Sequence, residues 1–486
     1  MNRREFSHQA LTLAIAPASL AAAARRTTPP TAADYYNEPP KKLPIRRFDV
    51  VVAGAGTAGV VAATAAARQG AKTALIEWKG YPGGTATEGG TALHSFYNLW
   101  KEFGVQKRQV VRGIAQEIID RLLKVGGTSG HAEMSKGFNY DSVCTAIDTE
   151  MYKLVTFEML DEAGVFVCVN TRLVDAVTDG SRVRAAVVES RSGREAFFAK
   201  SFVDCTAYGD LAAYAGADYT EPNDYAVCNS IGLANVDVDK YHDFISSNDA
   251  VTQLAAGLRS GRDAQTVRID GSARKLLPEF AREAGRIGMS IVTTTVHDNY
   301  FMFIKINLKL PKSPTDRDTV AKAELELRKR QARAVRLFRK FVPGCEKAFI
   351  ARTSPSLNIR RGRLITCDYD ISHEDVIDAR HFDDDVMAYG FHDSAPRYQI
   401  KNGGTYGIPY RALRVANIEN LLAAGMMITS DRRAHMSTRN TVCCMGQGQA
   451  AGAAAALCAA KNCGTRDLKY PDLRDALAKA GVYFDS

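Results

Sequence analysis

The feature that most constrains this chain is a glycine turn set between a strand and a helix. Phe48–Ala53 is a short, β-branched run that reads as a buried strand. It passes directly into Gly54-Ala55-Gly56-Thr57-Ala58-Gly59, and an Ala-rich helix from Val60 to Gln69 follows, stopped by Gly70. A second strand, Lys72–Ile76, ends in Glu77, about 20 residues past the first glycine, where a dinucleotide ribose needs an acceptor. The same glycine spacing alone is weak; in this context it predicts a dinucleotide site. Gly54 permits the tight turn, Gly56 lets backbone approach a pyrophosphate, and Gly59 lets helix pack on sheet. Thr57 and Ala58 open the helix, whose first N–H groups face an anion.

A second glycine loop, Tyr81-Pro82-Gly83-Gly84-Thr85-Ala86-Thr87, comes immediately after Glu77. Simple NAD domains continue into another βα unit here; a loop that can run beside the far end of the same dinucleotide favours FAD. No second such fingerprint appears after residue 200, so a separate nicotinamide domain is not supported. At 486 residues the chain has room for two or three domains, and 46% hydrophobic with 24% charged residues is ordinary for a globular protein. The net charge of +9 favours anionic ligands without a basic stripe interleaved with aromatics, which excludes a nucleic-acid footprint. Arg328-Lys329-Arg330 reads as a solvated helix face. The ten cysteines sit mostly in apolar stretches with no metal spacing, so no metal is expected; Cys443-Cys444 reads as helix packing.

The N-terminus reads as an address. Arg3-Arg4, with Phe6 two positions on, precedes an apolar, Ala-rich run from Ala10 to Ala24, too short for a stable membrane span. Residues 1–24 are expected to be a twin-arginine signal peptide, 25–46 a polar linker, and the mature protein periplasmic or secreted. That route carries folded proteins, which suits a chain that closes around its cofactor in the cytoplasm.

Later blocks carry a family resemblance. Glu162–Val167 reads as a helix end followed by a strand, and Ser201–Asp210 as a strand and turn. Tyr406–Arg411 leads to Asn420–Gly425; Ala434–Arg439 precedes Met445-Gly446-Gln447-Gly448-Gln449-Ala450-Ala451-Gly452. With the first glycine turn, these segments resemble the FAD-dependent oxidoreductases of the glutathione-reductase-like FAD fold, related to fumarate-reductase-type flavoproteins. The resemblance is strongest at 48–90 and 404–460 and weak at 220–345. It implies an α/β fold: a Rossmann-like FAD-binding domain built from N- and C-terminal segments (47–217 and 404–465), an inserted α+β substrate domain (218–403), and a C-terminal helix or tail (466–486). It also implies adenine near Thr171 and Arg172, and further cofactor contacts from Thr206, Gly425, Gly446 and Gln447. A helix from about Gly446 to Lys461 would aim its N-terminus at the flavin N1–C2=O edge, where reduction places negative charge.

Within 218–403, Val292–Val296 and Tyr300–Leu308 are expected strands and Thr315–Phe341 a long charged helix. Candidate chemical residues are His435 as proton carrier, Arg439 to pin a carboxylate or stabilise reduced flavin, and Arg361 in Arg360-Arg361-Gly362-Arg363. His435 also reads as a core histidine and Arg361 as part of a solvated turn. Tyr406 and Tyr410 could line a pocket or pack in the core; His94 follows the second glycine loop, and His297 and His392 are further pocket candidates. The expected function is exchange of a hydride between a small organic substrate and flavin N5, with oxygen, a quinone or a redox protein as electron partner. The alternatives are a fumarate-reductase-like alkene reductase, a lyase or isomerase retaining FAD, and a non-catalytic binding module. Substrate, direction and oligomeric state are not legible.

Overall fold

Three valines, Val50–Val52, are wholly buried in the strand Val50–Ala53, as expected for the centre of a parallel sheet covered on both faces. A computed structural model of the chain describes residues 36–137, 141–394, 397–428 and 431–485. The expected twin-arginine signal peptide, residues 1–24, therefore lies outside the described residues. Residues 40–486 form one unit; of residues 1–39 only 36–39 are described, without regular structure. The expected linker is shorter than its span to 46, because Ile45–Arg47 pairs in parallel with Gly193–Phe198 at the edge of a four-stranded sheet. Three residues are too few for a periodicity to announce a strand.

The central sheet is five-stranded and parallel, in the order Leu421–Ala423, Ser201–Asp204, Val50–Ala53, Thr73–Ile76, Phe166–Cys168. Its strands come from both ends of the chain. Thr57–Arg68, the nucleotide helix, and Thr441–Lys461, the closing helix, pack against it and against each other. Their contact is made by glycines: a Cβ at Gly448 would overlap the Ala58 carbonyl, and one at Gly452 the Ala62 carbonyl. The closing helix is long and apolar enough to cross a bilayer, but most of it is buried against protein.

The closing helix starts earlier than expected. Asn440 caps it, accepting Val442 N–H at 3.1 Å, so Gly446 and Gln447 lie inside the helix and not at its N-terminus. The Ala-rich run marks the helix centre, whereas the cap residue, a strong start signal, marks its beginning.

Outside the parallel layer, Val227–Ala234 pairs antiparallel with Tyr300–Leu308 and Phe349–Thr353. The long helix Arg317–Phe341 covers one face of this sheet with Ala323, Leu327, Ala334, Val335 and Phe338; Asp316 caps it by accepting Thr319 N–H at 2.8 Å. A six-stranded sheet runs Thr293–Thr294, Arg262–Gly271, Val251–Arg259, Ala132–Lys136, Val143–Thr145, Leu93–His94. The expected division at 217/218 thus runs through one hydrogen-bonded sheet. The strand expected over 292–296 is only Thr293–Thr294.

Candidate functional site

The nucleotide helix begins at Thr57 with Gly56 as its cap; no side chain caps it and its first turn holds no acid. Uncapped N–H groups and an unopposed helix dipole suit an anionic group. The glycines of the turn divide by cause. Gly54 has φ +88°, and a Cβ there would sit 2.6 Å from Cys205 O; a Cβ on Gly59 would overlap the Gly54 carbonyl. Both are required by protein packing. Gly56 is not: its φ is −65°, and a Cβ would meet nothing closer than Cys205 O at 3.9 Å. Its missing side chain leaves an approach that a pyrophosphate fits.

The second glycine loop lies on the first. Gly83 N–H donates to Ala55 O at 2.8 Å, and a Cβ on Gly84 would stand 2.8 Å from Gly56 Cα. Thr85 and the buried Ala86 open the short helix Thr85–Gly89 that follows. Arg352 holds this helix to the three-stranded sheet, donating to the carbonyls of Thr87 (3.1 Å), Glu88 (2.9 Å) and Met302 (2.7 Å). Ser230 Oγ donates to Gly89 O at 2.6 Å and Ser354 Oγ to Glu88 O at 2.8 Å. Glu88, whose carboxyl burial pushes up, pairs with Lys79.

Glu77 is buried, which raises its carboxyl pKa. Its two oxygens accept Ala55 N–H at 2.8 Å and Lys79 N–H at 2.9 Å. Each keeps a lone pair for a ribose hydroxyl. Thr171 N–H donates to Glu77 O at 2.9 Å, which places Thr171 beside it, and Arg172 is exposed at the start of the next strand. Thr206 lies against Gly54, but its hydroxyl is spent on protein: it donates to Asp204 Oδ1 at 2.7 Å and accepts Asp210 N–H at 2.8 Å. Asp204, wholly buried, is pushed up to about 6 by desolvation against its hydrogen bonds.

Gly425 has φ +118°, and a Cβ there would stand 3.8 Å from Ala58 Cβ, which places this glycine near the helix start. Gln447 does not: it accepts Gly425 N–H at 2.8 Å and donates to Thr438 O at 2.8 Å, and Gly446 packs against Met387. Both lie inside the helix, past its first turn, as bracing and packing positions. The helix start offers Asn440, Thr441 and Val442 instead.

The chemical candidates gather around Tyr225. The guanidinium carbons of Arg361 and Arg439 lie 6.0 and 5.9 Å from its ring centre, and the His435 ring 5.6 Å. Arg361 pairs with Asp224 at 2.7 Å, and Arg439 pairs with Asp393. His435 is wholly buried; its Nε2–H donates to Arg360 O at 2.7 Å. Burial first, then the Arg439 charge, holds its pKa far below the usual range, so it is neutral. Its Nδ1 has no partner among the described residues. Tyr406 OH bonds Ser437 Oγ at 2.7 Å and Tyr410 OH donates to Thr465 O at 2.9 Å, both as core residues. His297 pairs with Asp148 at 2.6 Å. Burial holds His392 down to about 4.

A second polar group stands on the six-stranded sheet. His94 Nδ1 is 2.6 Å from Asp141 Oδ2, and its Nε2 is 3.3 Å from Arg268 Nη1. Arg268 also donates to Gln253 Oε1 at 2.7 Å. Asp270 is within electrostatic reach of both Arg268 and Lys305, and Lys305 of Arg360, Arg439 and Asp393. Neither Lys305 nor Arg268 was singled out by sequence. Lys305 interrupts the apolar alternation of Tyr300–Leu308, and that interruption was the available signal.

A family model described as FAD-dependent oxidoreductase matches residues 49–477. No curated protein matches the chain. Among solved structures, the chain is similar to a geranylgeranyl bacteriochlorophyll reductase-like protein of Thermoplasma acidophilum, at 13% identity over 90% of this chain and 83% of that one, TM-score 0.46. It is similar to a myxobacterial chondrochloren halogenase at 11% identity over 89% and 78%, TM-score 0.48. The third is p-nitrophenol 4-monooxygenase from Pseudomonas putida, at 9% identity over 90% and 88%, TM-score 0.45.

Proposed function

The chain belongs to the FAD-dependent oxidoreductase family and is an enzyme with FAD as cofactor, and from that premise we propose that it exchanges a hydride between a small organic substrate and flavin N5. Oxygen, a quinone or a redox protein is the electron partner. The bound flavin supplies the two-electron step. The chain's own residues bind, orient and move the proton.

The observation that carries this reading is a polar wall set against the nucleotide turn. Lys305 is the ladder partner of Ser230, whose hydroxyl donates to Gly89 O at the end of the short helix that follows the second glycine loop, and that loop rests on Gly56. The cradle and the charged face are therefore joined through that helix. His94 is a second candidate proton carrier in this wall: Asp141 takes Nδ1–H and orients the ring, while Nε2 faces Arg268 Nη1 at 3.3 Å, so a substrate reaches Nε2 only in place of that guanidinium. His435 is buried and neutral, with its Nε2–H held by Arg360 O.

The finer family assignment, a glutathione-reductase-like FAD fold related to fumarate-reductase-type flavoproteins, is supported by parallel strands contributed from both chain ends. Export by the twin-arginine route, with a periplasmic or secreted site of action, rests on Arg3-Arg4 and the apolar run to Ala24. In that compartment a soluble nicotinamide partner is not expected.

The test is anaerobic addition of hydroxy acids, sugars and aromatic acids to the FAD-loaded protein while flavin absorbance is followed. One class should bleach the flavin, and oxygen or a quinone analogue should restore the colour. Conversion of a substrate with no bleaching and no acceptor would support the lyase or isomerase reading instead.

A further inference from the structure

The closing helix ends in a turn that brings two cysteines together. Asn462, at φ +50°, takes the left-handed conformation at the helix end. Its N–H and that of Cys463 both reach the Cys458 carbonyl, Cys463 at 3.0 Å. A Schellman-type end of this kind sets the side chains of the two bonded residues side by side. Backbones joined by such a bond bring Cα atoms to about 5–6 Å, within the roughly 4.4–6.8 Å that a disulfide spans. Cys458 belongs to the core, and Cys463 packs against the same core from a half-exposed position. The two thiols also feel each other: burial first, then the Cys463 thiol, raise Cys458 to about 12.

The turn that carries Cys463 is held from the neighbouring chain. Thr465 N–H donates to Glu419 O at 2.7 Å, and Tyr410 OH donates to Thr465 O at 2.9 Å. Gly464 N–H donates to Asp467 Oδ2 at 3.1 Å. Pairing therefore asks for side-chain rotation and not for movement of either backbone. Cys443 and Cys444 offer no such arrangement, because consecutive residues of a helix point about 100° apart.

We propose that Cys458 and Cys463 form a disulfide when the folded protein meets a disulfide donor, and that this bond locks the end of the closing helix onto its turn. Both are free thiols in this structure. The half-exposed Cys463 gives up its proton and attacks the donor. One donor sulfur leaves as a thiolate, and a mixed disulfide forms on Cys463. Cys458 Sγ then attacks the Cys463 sulfur and expels the second donor thiolate. The two cysteine protons end on the two donor thiols, so the protein is oxidised by two electrons and the donor reduced by two. The bond needs the folded turn. A chain that folds in a reducing cytoplasm closes it on arrival in an oxidising compartment. That timing rests on the export reading above, whereas the pairing itself does not.

The experiment exposes the FAD-loaded protein to oxidised glutathione, blocks the remaining thiols in denaturant and maps tryptic peptides. Cleavage after Lys461 separates the two cysteines, so a disulfide joins residues 440–461 to residues 462–466. Fragmentation of the joined pair is expected to place the link at Cys458. The oxidised protein should melt about 2–4 °C higher than the reduced one, and dithiothreitol should remove the gain. Cys463→Ser should keep its FAD and show neither the joined peptides nor the gain. Cys458→Ser should stop at a glutathione adduct on Cys463. The proposal is overturned if the parent yields no joined peptides, if the parent also stops at that adduct, or if the link falls on Cys443 or Cys444. An unchanged melting temperature in fully linked protein overturns the lock. If the pair links in a protein that holds no FAD, the flavin reading falls and the pairing stands.

Discussion

Two glycines of one turn should fail in different ways. Gly56→Ala adds a methyl group to a backbone of ordinary φ, 3.9 Å from the nearest protein atom, so the apoprotein has room for it. The change at a helix cap costs about 1 kcal/mol or less. The same methyl group enters the space where the pyrophosphate meets the helix start. Loss of one hydrogen bond to a charged oxygen is worth about 1.5–3 kcal/mol, so FAD should bind about 10–150-fold more weakly. Gly54→Ala reverses the pattern. Its φ of +88° and a Cβ 2.6 Å from Cys205 O combine backbone strain with overlap of a rigid carbonyl. That variant should lose about 3 kcal/mol or more of stability before any cofactor is added. Urea unfolding of the apoproteins and FAD titration by fluorescence quenching separate the two effects. The reasoning is refuted if Gly56→Ala binds FAD within about twofold of the parent, or if its apoprotein unfolds as readily as Gly54→Ala.

Other perturbations probe the supports of the site. Gly452→Leu must push the closing helix off the Ala62 carbonyl, and should destabilise by at least about 3 kcal/mol in urea with FAD lost in step. Arg352→Ala strips the donors from the Thr87, Glu88 and Met302 carbonyls; a loss of about 2–4 kcal/mol is expected, with FAD affinity falling as the second glycine loop loosens. Asp204 is raised to about 6 in the folded protein against about 3.9 when unfolded, so the native state binds the extra proton between those values and stability falls as pH rises through that window. Asp204→Asn removes this dependence, and its urea midpoint should therefore gain on the parent's between pH 4 and pH 7.

The sequence was most legible where the physics is local. A glycine turn bounded by a valine run and an Ala-rich helix needs only its neighbours to define it, and Gly54, Gly56 and Glu77 stand where the pattern put them. Legibility fell where one end of an element is set by a single polar residue. The start of the closing helix depends on Asn440, and ignoring it shifted Gly446 and Gln447 from helix start to helix interior. It fell further where chemistry is assembled from distant segments. His94, Asp141 and Arg268 meet although Leu93–His94 and Arg262–Gly271 are separated by three strands in the six-stranded sheet, and no local pattern encodes that approach. His435 read in the sequence both as a proton carrier and as a core histidine, and the bond that favours the second is made to the carbonyl of Arg360, far from it in the chain.

The central proposal is spatial: FAD would bind with its pyrophosphate on the start of the nucleotide helix and its ring system toward the start of the closing helix. A crystal structure of the FAD complex measures this directly. The expected result is pyrophosphate oxygens within about 3 Å of backbone N–H groups at Gly56–Ala58, with the isoalloxazine against the Asn440–Val442 helix start. FAD bound with its phosphates elsewhere, or its ring turned away from that helix start, would contradict it.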